Sequence, residues 1–371
     1  MRELLVVSGE ASGDRAAAHV LRSLPGTRAF GMGGAASEAE GAELLVHLRD
    51  GAVMGVLDVA ARALAIGKAY ARLRAAAARR KPAAALLVNY TDFNLRLARR
   101  LRALRIRTLW YVAPQVWAWR ADRVRTVRAR VDRLAVILPF EEQLWRDAGV
   151  DAAYVGHPAL DTVRLDREDA RRELGLRSTR PAVAVMPGSR TMEIRRLLPA
   201  MLEAVRALPV EARMLLAPNL DDATRTWARE RADAAGVATH AVGALDGAPS
   251  HLAAFDAALC ASGTASLEAA LAGAIPVVCY RLDALTALLV RPLLRTKHIA
   301  LPNVLLGRRA FPELLQGEAT AHSMAGALES VLGRRVRHLA DCDEVRAMLG
   351  TRRKPGSAVA AMLAPWVEGS S

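Results

Sequence analysis

Cysteine and aromatic residues are scarce in this chain, and each shortage excludes a class of protein. The 371 residues include three cysteines, Cys260, Cys279 and Cys342, which lie far apart and form no CxxC pair. Such spacing argues against a zinc site and against a disulfide framework, and it is typical of a cytoplasmic protein. Because aromatic residues make up 4% and hydrophobic residues 52%, the core must consist of Ala, Leu and Val, which suits helices packed on a parallel sheet.

Long apolar runs and several common catalytic motifs are also missing. No uncharged apolar stretch approaches the ~20 residues of a membrane-spanning helix, and the first residues lead into a predicted strand without the pattern of a signal peptide. The sequence has no P-loop, HExxH or GxSxG motif. Its match to a metal-binding DxD pattern, Asp341-Cys342-Asp343, falls in a predicted helix rather than after a strand. We therefore expect neither a metal nor another cofactor.

Basic residues, by contrast, are abundant. The 52 Lys and Arg against 38 Asp and Glu give a formal net charge of +14, which predicts attraction to nucleic acids, anionic lipid surfaces or phosphorylated substrates. A nucleic-acid-binding protein is one hypothesis, but the chain lacks interleaved aromatic and basic residues and a recognisable reading module. No specific nucleic acid is therefore expected as a partner. Arginine-rich stretches at 96–107 and 120–133 would instead suit anionic lipid headgroups.

The segment 55–81 combines an apolar beginning with a strongly basic end. This pattern predicts an interfacial helix that lies on a membrane surface, and the alternative is a core helix with one solvated face. The apolar residues are Leu57, Val59, Leu64 and Ile66, and the basic ones are Arg72, Arg74, Arg79, Arg80 and Lys81.

Short aliphatic runs alternate with longer amphipathic stretches along the chain. This alternation predicts doubly wound parallel sheets, and it breaks once, in the charged segment 161–180. We therefore predict an N-terminal domain at 1–165, a second domain at 166–350 and a final helix in the segment 351–371. The predicted strands are Leu4–Val7, Ala84–Val88, Thr108–Val112, Leu134–Leu138, Ala182–Met186, Met214–Ala217, Ala257–Cys260 and Pro276–Cys279.

The segment Ser8-Gly9-Glu10-Ala11-Ser12-Gly13-Asp14 follows the first predicted strand. Its glycines allow a sharp turn and a close approach to a ligand, and Ser12 or Asp14 can cap the next helix. Glu10 stands at the carboxyl end of a parallel strand, where such sheets bind ligands. The alternative is a plain strand-to-helix turn, and the absence of GxGxxG gives no indication of a dinucleotide.

Two segments of the second half have the chemistry of an anion site. The first segment combines backbone N–H groups with a guanidinium and consists of Pro187-Gly188-Ser189-Arg190. The second places small residues at a helix N-terminus and consists of Ser262-Gly263-Thr264-Ala265-Ser266-Leu267-Glu268. Glu268 would reach ribose hydroxyls. The alternatives are a surface arginine and a capping-box-like helix start. If no metal takes part, these helix ends and Arg190 would have to stabilise a departing diphosphate.

Three further clusters have open roles. Leu301-Pro302-Asn303 and the segment 312–316 place polar side chains near the same sheet edge. Trp117 and Trp119 would form a wall for a sugar or an acyl chain, or would pack in the interior. His157, in a Gly-His-Pro turn, would orient a phosphate or stabilise the turn.

Together these segments resemble the lipid-A-disaccharide synthase family of inverting glycosyltransferases, which have the GT-B fold. The likeness runs from Ser8 to about Gln316 in the expected order and spacing, and this ordered combination is specific to the family. The matching segments are SGEASGD, GMGG at 31–34, VMG at 53–55, DFN at 92–94, PQVWAW, LPFE at 138–141, GHP, PGSR, SGTASLE, LPN and PELLQ.

The resemblance implies two Rossmann-like doubly wound parallel-sheet domains facing a central cleft, and it implies that the final helix at 351–371 crosses back to the first domain. It also implies transfer of 2,3-diacylglucosamine from its UDP conjugate to 2,3-diacylglucosamine 1-phosphate through a β-1,6 linkage, with release of UDP. The partners would be a UDP-sugar donor, a lipid acceptor and the anionic inner face of the inner membrane, where the protein would be peripheral and cytoplasmic. A homodimer is compatible with the sequence.

The same resemblance assigns residues to both substrates. Glu10, Ser12 and Asp92 would lie near the acceptor in the first domain, with Glu10, Asn89, Asp92 and Arg190 as the catalytic candidates. The residues expected to hold UDP are Ser189, Arg190, Ser262, Gly263, Thr264, Glu268, Asn303, Glu313 and Gln316.

One position departs from the family pattern. The family typically has Gly-Ile-Asp before its Pro-Asp-Phe-Asn segment, and that first acid is a favoured general base. Here the stretch contains Asn89 followed by Tyr90, Thr91 and Asp92, and an amide cannot accept the proton of the acceptor hydroxyl at neutral pH. Either Asp92 or Glu10 serves instead, or the enzyme has diverged toward a different acceptor or toward lower activity.

Overall fold

The structure is a computed structural model, and it describes residues 3–48, 59–118, 121–162, 164–177, 179–218, 220–243, 248–281, 296–350 and 353–368. It divides the chain into two compact units. The first comprises Met1–Asp161 together with Leu349–Ser371, and the second comprises Thr162–Met348. The VMG segment at 53–55, Leu57, Trp119 and Arg120 lie outside the described residues.

Each unit alternates strands with helices. The strands are β1 Glu3–Ser8, β2 Arg28–Gly33, β3 Glu43–His47, β4 Ala84–Val88, β5 Arg107–Tyr111, β6 Arg133–Val136, β7 Ala152–Tyr154, β8 Ala182–Met186, β9 Glu211–Leu216, β10 Ala238–Ala241, β11 Ala257–Ala261, β12 Ile275–Tyr280 and β13 Glu313–Leu315. The helices are α1 Ala11–Arg22, α2 Ala35–Ala39, α3 Val59–Arg80, α4 Thr91–Ala103, α5 Arg123–Arg128, α6 Pro139–Asp147, α7 Arg167–Glu173, α8 Thr191–Arg206, α9 Asp222–Ala234, α10 Thr264–Ala272, α11 Leu301–Leu306, α12 Ala321–Gly333, α13 Arg335–Leu349 and α14 Pro355–Val367.

The first unit contains a seven-stranded parallel sheet with the order β3-β2-β1-β4-β5-β6-β7. Its central strands are fully buried because helices cover both faces, and Trp110, Trp145 and Phe30 are among the largest side chains in this core. Glycine is required at Gly31 in β2, where φ is 151° and a Cβ would lie 1.9 Å from the carbonyl oxygen of Val6 in the neighbouring strand.

The second unit contains a six-stranded parallel sheet with the order β10-β9-β8-β11-β12-β13. Its core includes Met186, Phe255, Cys260 and Val278. The prediction of two doubly wound parallel sheets is therefore confirmed. All the predicted strands are present, and five strands lie outside the prediction: β2, β3, β7, β10 and β13.

The final helix, α14, belongs to the first unit. It packs against α1 so closely that a Cβ on Gly356 would lie 2.8 Å from the Cβ of His19. The amide of Gly356 donates a hydrogen bond of 2.7 Å to Asp161 Oδ2, and the hydroxyls of Ser23 and Ser357 are 3.1 Å apart. The sequence-based limits 1–165, 166–350 and 351–371 stay a prediction of the functional domains.

Candidate active site

In each sheet the winding direction reverses once, between two neighbouring strands. The polar motifs lie directly after these two strands in each sheet. In the first sheet the reversal lies between β1 and β4, and in the second between β8 and β11. Ligands of open parallel sheets bind beyond the carboxyl ends of the strands at such a point. Glu10 follows β1, Asn89 follows β4, Arg190 follows β8 and Gly263 follows β11.

In the first unit, Glu10 is the centre of a small polar cluster. Its Oε1 accepts hydrogen bonds from Ser12 Oγ at 3.0 Å and from Asn89 Nδ2 at 2.5 Å. Glu10 and Ser12 are half-buried, and Glu10 has extended backbone angles as the residue before α1. The structure therefore brings Asn89, from the turn after β4, to Glu10 and Ser12 of the turn after β1.

The backbone that carries Asn89 has an unusual conformation. Asn89 and Tyr90 have φ values of 49° and 44°, and asparagine tolerates this left-handed region better than most residues. The carbonyl oxygen of Asn89 accepts a hydrogen bond of 2.9 Å from Asn94 Nδ2, and its amide donates one of 3.0 Å to the carbonyl of Tyr111. Hydrogen bonds at both its amide and its carbonyl thus hold the backbone of Asn89 in this conformation.

Tyr90 also explains the glycine at position 9. A Cβ on Gly9 would lie 2.1 Å from the ring of Tyr90, so the ring covers the turn after β1. The same ring stacks on Phe93, with centroids 5.0 Å apart. The turns after β1 and β4 are therefore packed on each other.

Asp92 has a different environment from Glu10. Its Oδ1 accepts a charged hydrogen bond of 2.5 Å from Arg123 Nη2. The Arg123 side chain is 6% exposed, whereas that of Asp92 is 71% exposed. Because a buried guanidinium needs a counter-charge, Asp92 has a structural task in addition to any catalytic one.

Asp14 stabilises the fold rather than extending this cluster. It is buried, and it accepts hydrogen bonds from the amides of Gly34, Ala36 and Ser37 and from the Ser37 hydroxyl, at 2.5–3.3 Å. A Cβ on Gly34 would lie 2.7 Å from Asp14 Oδ2. The SGEASGD and GMGG segments therefore interlock, since the aspartate of one caps helix α2 behind the glycines of the other.

In the second unit, the Pro187–Arg190 turn holds a carboxylate of its own. Gly188 has a φ of 115°, and a Cβ there would lie 2.0 Å from Glu193 Oε2. The amide of Ser189 donates a hydrogen bond of 3.2 Å to that same oxygen. Glu193 therefore lies where an anionic ligand of the turn would bind. Ser189 and Arg190 themselves are exposed.

Tyr280, the last residue of β12, lies close to this turn. Burial raises the pKa of its hydroxyl, the negative charge of Glu193 raises it further, and Arg190 lowers it. Both charged side chains are therefore within electrostatic range of Tyr280. Sequence reasoning missed Glu193 and Tyr280, although an acid four residues after Ser189, in the first turn of a helix, is a known capping signal.

The turn after β11 borders open space. Gly263 has a φ of 136°, and no other described atom lies within 4 Å of the position of a Cβ. The amide of Ser262 donates a hydrogen bond of 3.0 Å to the carbonyl of Cys279, and Ser266 Oγ donates one of 2.9 Å to the carbonyl of Gly263. Thr264 is the first residue of α10, so the positive end of this helix dipole faces the open space.

Glu268 lies further inside, one turn along α10. It is buried, and its charge acts on Arg164, whose pKa is lowered by burial and by Arg346 and is raised by Glu268. Arg164 and Arg346 both donate hydrogen bonds to the carbonyl of Leu271, at 3.4 and 2.9 Å. Two guanidinium groups thus stabilise the negative end of the helix whose positive end borders the open space.

Asn303 and Glu313 bind each other. Asn303 Nδ2 donates a hydrogen bond of 2.8 Å to Glu313 Oε1, and Asn303 Oδ1 accepts from the amides of Ala310 and Phe311, at 3.0 and 2.9 Å. Glu313 also accepts hydrogen bonds from the amides of Ile299 and Ala300, at 3.3 and 3.1 Å. Both side chains are buried. Gln316, at the end of β13, is half-buried and has a φ of 52°.

The tryptophan segment of the first unit is connected to a buried acid. Trp117 Nε1 donates a hydrogen bond of 2.9 Å to Glu141 Oε1, while Glu141 Oε2 accepts from the amides of Ile137 and Leu138, at 3.2 and 3.1 Å. Burial raises the pKa of Glu141 to about 7 against the effect of these donors. Trp117 also meets Phe140 edge to face, with centroids 5.3 Å apart.

His157 fits the structural role that its turn indicated. Its side chain is buried, and Nδ1 accepts a hydrogen bond of 3.1 Å from the amide of Ala159. Burial lowers the pKa of His157 to about 3, so the ring is neutral. Its hydrogen bond supports the short 3₁₀ turn Pro158–Leu160.

The Asp341-Cys342-Asp343 segment lies on helix α13, as the sequence predicted. Asp341 pairs with Arg308 at 2.8 Å, and Asp343 pairs with Arg346 at 2.5 Å. Within the described ranges, no group of three or more His, Cys, Asp or Glu side chains is arranged to hold a metal ion. Metal independence stays a prediction.

Comparison with known proteins gives the family. The sequence model of the family described as lipid-A-disaccharide synthetase matches residues 4–361 of the chain. The chain belongs to this family. The predicted resemblance is thereby confirmed over nearly the whole length.

Proteins named lipid-A-disaccharide synthase are similar in sequence to this chain. The synthase of Myxococcus xanthus (strain DK1622) is 45% identical over 339 residues, which cover 88% of this chain and 87% of that protein. The synthase of Syntrophus aciditrophicus (strain SB) is 40% identical over 369 residues, which cover 96% and 94%. The relatives thus span both units.

Solved structures show the same fold at low sequence identity. The UDP-GlcNAc 2-epimerase of Neisseria meningitidis, bound to UDP-GlcNAc, has a TM-score of 0.68 at 10% identity and covers 97% of this chain and 99% of its own. The calicheamicin glycosyltransferase CalG4 has a TM-score of 0.59 at 15% identity, covering 100% and 99%. MurG of Acinetobacter baumannii has a TM-score of 0.56 at 14% identity, covering 98% and 99%. The GT-B fold is confirmed.

Proposed function

We propose that this member of the family is a hexosyltransferase of lipid A biosynthesis. It would transfer 2,3-diacylglucosamine from its UDP conjugate to 2,3-diacylglucosamine 1-phosphate and release UDP. The observation that carries the proposal is the match to the family over residues 4–361. The polar motifs at the winding reversal of each sheet give it a physical basis.

The donor is assigned to the second unit. The turns after β8 and β11 belong to strands that pair directly, so their backbone amides and Arg190 can serve one diphosphate. Glu193 would have to leave the amide of Ser189 when the phosphate enters. The direct contacts are assigned to Ser189, Arg190, Ser262, Gly263, Thr264, Glu268 and Gln316.

Asn303 and Glu313 are assigned an indirect role in donor binding. Their polar groups are used in hydrogen bonds to each other and to the backbone around α11 and β13. A buried, internally bonded pair is suited to holding a loop in place. We therefore assign them the positioning of Gln316 and of the segment before α11, in place of direct contact with UDP.

The leaving group would be stabilised without a metal. Glycosyl transfer places negative charge on the departing diphosphate, and preorganised dipoles and cations stabilise such charge most effectively. The N-terminal end of α10 and the guanidinium of Arg190 supply these groups. Metal independence is part of this proposal.

The acceptor is assigned to the first unit, near Glu10, Ser12 and Asp92. A second candidate function keeps the donor and changes the acceptor. It is favoured by Asn89, which stands where the family has an acid. If the acceptor is different, Asn89→Asp should fail to raise lipid A disaccharide formation.

A peripheral position at the cytoplasmic face of the inner membrane completes the proposal. No helix in the described part of the chain has the length and apolarity needed to cross a bilayer. Helix α3 exposes Leu64 and Ile66, 60% and 38% respectively, beside Lys68 and Arg72. Exposed aliphatic residues next to basic ones are typical of helices that lie on anionic membranes. A homodimer stays a prediction.

The decisive test is a product assay with defined lipids. The purified protein should release UDP from UDP-2,3-diacylglucosamine only when 2,3-diacylglucosamine 1-phosphate is added, with the disaccharide identified by mass spectrometry. An absence of transfer, with or without added divalent cations, would refute the proposal. UDP release with another lipid acceptor would support the second candidate.

The donor site has its own test in Arg190→Ala. Loss of a charged hydrogen bond to the diphosphate should raise the Kd for UDP by about 10- to 100-fold, as measured by calorimetry. Arg195→Ala is the matched control, since Arg195 is an exposed arginine of helix α8, which begins directly after Arg190, and its guanidinium lies over Trp227. Equal UDP affinity in Arg190→Ala and the unaltered protein would remove Arg190 from the donor site.

A further inference from the structure

We propose that Glu193 is an internal competitor of the donor diphosphate. Its carboxylate binds in the Pro187–Arg190 turn, where the proposed diphosphate must bind, so the two exclude each other. This inference rests on the proposed function and adds a regulation of the same site. It is carried by the contacts of one carboxylate oxygen, Glu193 Oε2, with Gly188 and Ser189.

The carboxylate of Glu193 fills the space beside the turn. The amide of Ser189 donates a hydrogen bond of 3.2 Å to Oε2. A Cβ on Gly188 would lie 2.0 Å from the same oxygen and 2.5 Å from Cδ of the carboxyl group. Carboxylates and phosphates present the same kind of acceptor oxygen to backbone N–H groups at the start of a helix. A phosphate oxygen therefore cannot bind the Ser189 amide until Glu193 leaves it.

The other turn of the proposed donor site has no such side chain against its glycine. At Gly263 no other described atom lies within 4 Å of the position of a Cβ. The two turns follow β8 and β11, strands that pair directly. One of the two anion-binding turns is therefore open, whereas the other already holds a negative charge of the same chain. The affinity of the site for a diphosphate is limited at the turn after β8.

The negative charge of Glu193 adds a second obstacle. Burial raises the pKa of the Tyr280 hydroxyl, Glu193 raises it further and Arg190 lowers it, so the carboxylate and the guanidinium act on the same phenol. A diphosphate bound by Arg190 would come close to this carboxylate, and like charges at short distance repel each other. Glu193 thus both uses the amide donor and repels the ligand that needs it.

Helix α8 keeps its first turn when Glu193 moves. Thr191, the first residue of the helix, donates a hydrogen bond of 2.9 Å from Oγ1 to Asp221 Oδ2. The amide of Ile194 donates one of 3.0 Å to the carbonyl of Arg190, and the side chain of Ile194 is fully buried. These contacts do not involve the Glu193 side chain. Its exchange with a phosphate therefore requires a change of rotamer and no movement of the helix.

Such competition determines how tightly UDP is held. Binding of the diphosphate must replace the contact that Glu193 gives up, which weakens the net affinity. UDP is also the product of the proposed reaction, and release of product limits the turnover of many enzymes. A carboxylate that returns to the turn favours this release. Glu193 therefore regulates the exchange of nucleotide and takes no part in the transfer itself.

Glu193→Gln tests the proposal, because glutamine keeps an acceptor oxygen for the Ser189 amide and removes the charge. The Kd for UDP, measured by calorimetry, should fall by about three- to tenfold. The Kd for uridine, which carries no phosphate, should stay unchanged. Glu203→Gln is the matched control, since Glu203 is an exposed glutamate of the same helix, and this variant should bind UDP like the unaltered protein.

Glu193→Ala separates competition from helix capping. Alanine removes both the charge and the acceptor, so the Kd for UDP should fall at least as far as in Glu193→Gln. The variant should also unfold at a lower urea concentration, because a helix start loses a side-chain acceptor. Lower stability of Glu193→Ala together with an unchanged Kd for UDP in both variants would show that Glu193 is a helix cap only, and would overturn the proposal.

Three other results would also decide against it. A rise in the Kd for UDP in Glu193→Gln would show that the carboxylate binds the ligand instead of competing with it. An equal fall for UDP and for uridine would place the effect away from the phosphate groups. An unaltered protein without measurable affinity for UDP would refute the proposed donor itself, and only this last result concerns the proposed function.

Discussion

Glu141 is a buried acid whose charge state should affect stability between pH 4.5 and pH 7. Burial raises its pKa from 4.5 to about 7 in the folded protein. In this range the unfolded chain releases a proton that the folded chain retains, so the free energy of unfolding decreases as the pH rises. The shift corresponds to about 3 kcal/mol. Below pH 4.5 both states are protonated and the contribution is fully present.

Glu141→Gln should remove this pH dependence, because the amide does not titrate. Urea unfolding followed by tryptophan fluorescence at pH 5 and pH 7.5 measures the difference. Glu142→Gln is the matched control, since Glu142 is a neighbouring acid of the same helix that pairs with Arg146 at 2.7 Å. If the free energy of unfolding changes between pH 5 and pH 7.5 by the same amount in the unaltered protein and in Glu141→Gln, Glu141 is not the source of the pH dependence.

At the residue scale, the sequence could predict location better than role. Glu10, Arg190 and Gly263 were expected beyond the carboxyl ends of strands because each follows an aliphatic run, and the structure has them there. The sequence indicated that Asn303 and Glu313 lie near the same sheet edge, but it could not predict that their side chains bind each other, because that bond depends on the folded backbone around them. Direct contact of Asn303 and Glu313 with UDP stays a prediction, and the hydrogen bonds that these two side chains already make do not favour it.

At the element scale, the helix α2 depends on an acid outside its own sequence. Asp14, on α1, accepts four hydrogen bonds from Gly34, Ala36 and Ser37 while buried. Asp14→Ala leaves these donors without an acceptor, so the first unit should lose about 3 kcal/mol or more of unfolding free energy. Denaturant unfolding followed by tryptophan fluorescence measures the loss.

Asp166→Ala is the control for this prediction. Asp166 caps helix α7 from the N-cap position through the amide of Asp169, at 2.9 Å, but at an exposed site. The expected loss of unfolding free energy is that of an ordinary exposed N-cap and is clearly smaller than the loss from Asp14→Ala. Comparable losses in the two variants would show that Asp14 acts as an ordinary cap without a role in joining two elements.

Three of the strands outside the prediction, β2, β7 and β13, share a physical reason. β2 contains Arg28 and two glycines, β7 has three residues, and β13 begins with the buried Glu313. Such segments form strands because a neighbouring strand supplies hydrogen-bond partners, and their own side chains carry little signal. The fully buried strands at the sheet centres, by contrast, are continuous aliphatic runs that the sequence displays directly.

On the scale of the whole molecule, the net charge of +14 gives a general attraction to anionic surfaces, and the exposed apolar residues of α3 would determine which part of the molecule binds. We predict that the double variant Leu64→Ser, Ile66→Ser binds phosphatidylglycerol vesicles at least about tenfold more weakly than the unaltered protein. Burial of an aliphatic side chain contributes about 1.5–3 kcal/mol, and these two are 60% and 38% exposed.

Vesicle sedimentation measures this binding, with Val336→Ser as the control. Val336 is an aliphatic residue of the second unit that is 86% exposed, so its loss tests whether any exposed aliphatic residue has the same effect. Added salt should weaken binding in every variant, because screening reduces the charge attraction. If the double variant binds normally, the charge alone holds the protein on the membrane. If Val336→Ser weakens binding as much as the double variant, exposed aliphatic residues contribute wherever they lie. Either result would show that α3 has no special role. A selective loss in the double variant would place the first unit, with Glu10, at the lipid surface from which the acceptor must come.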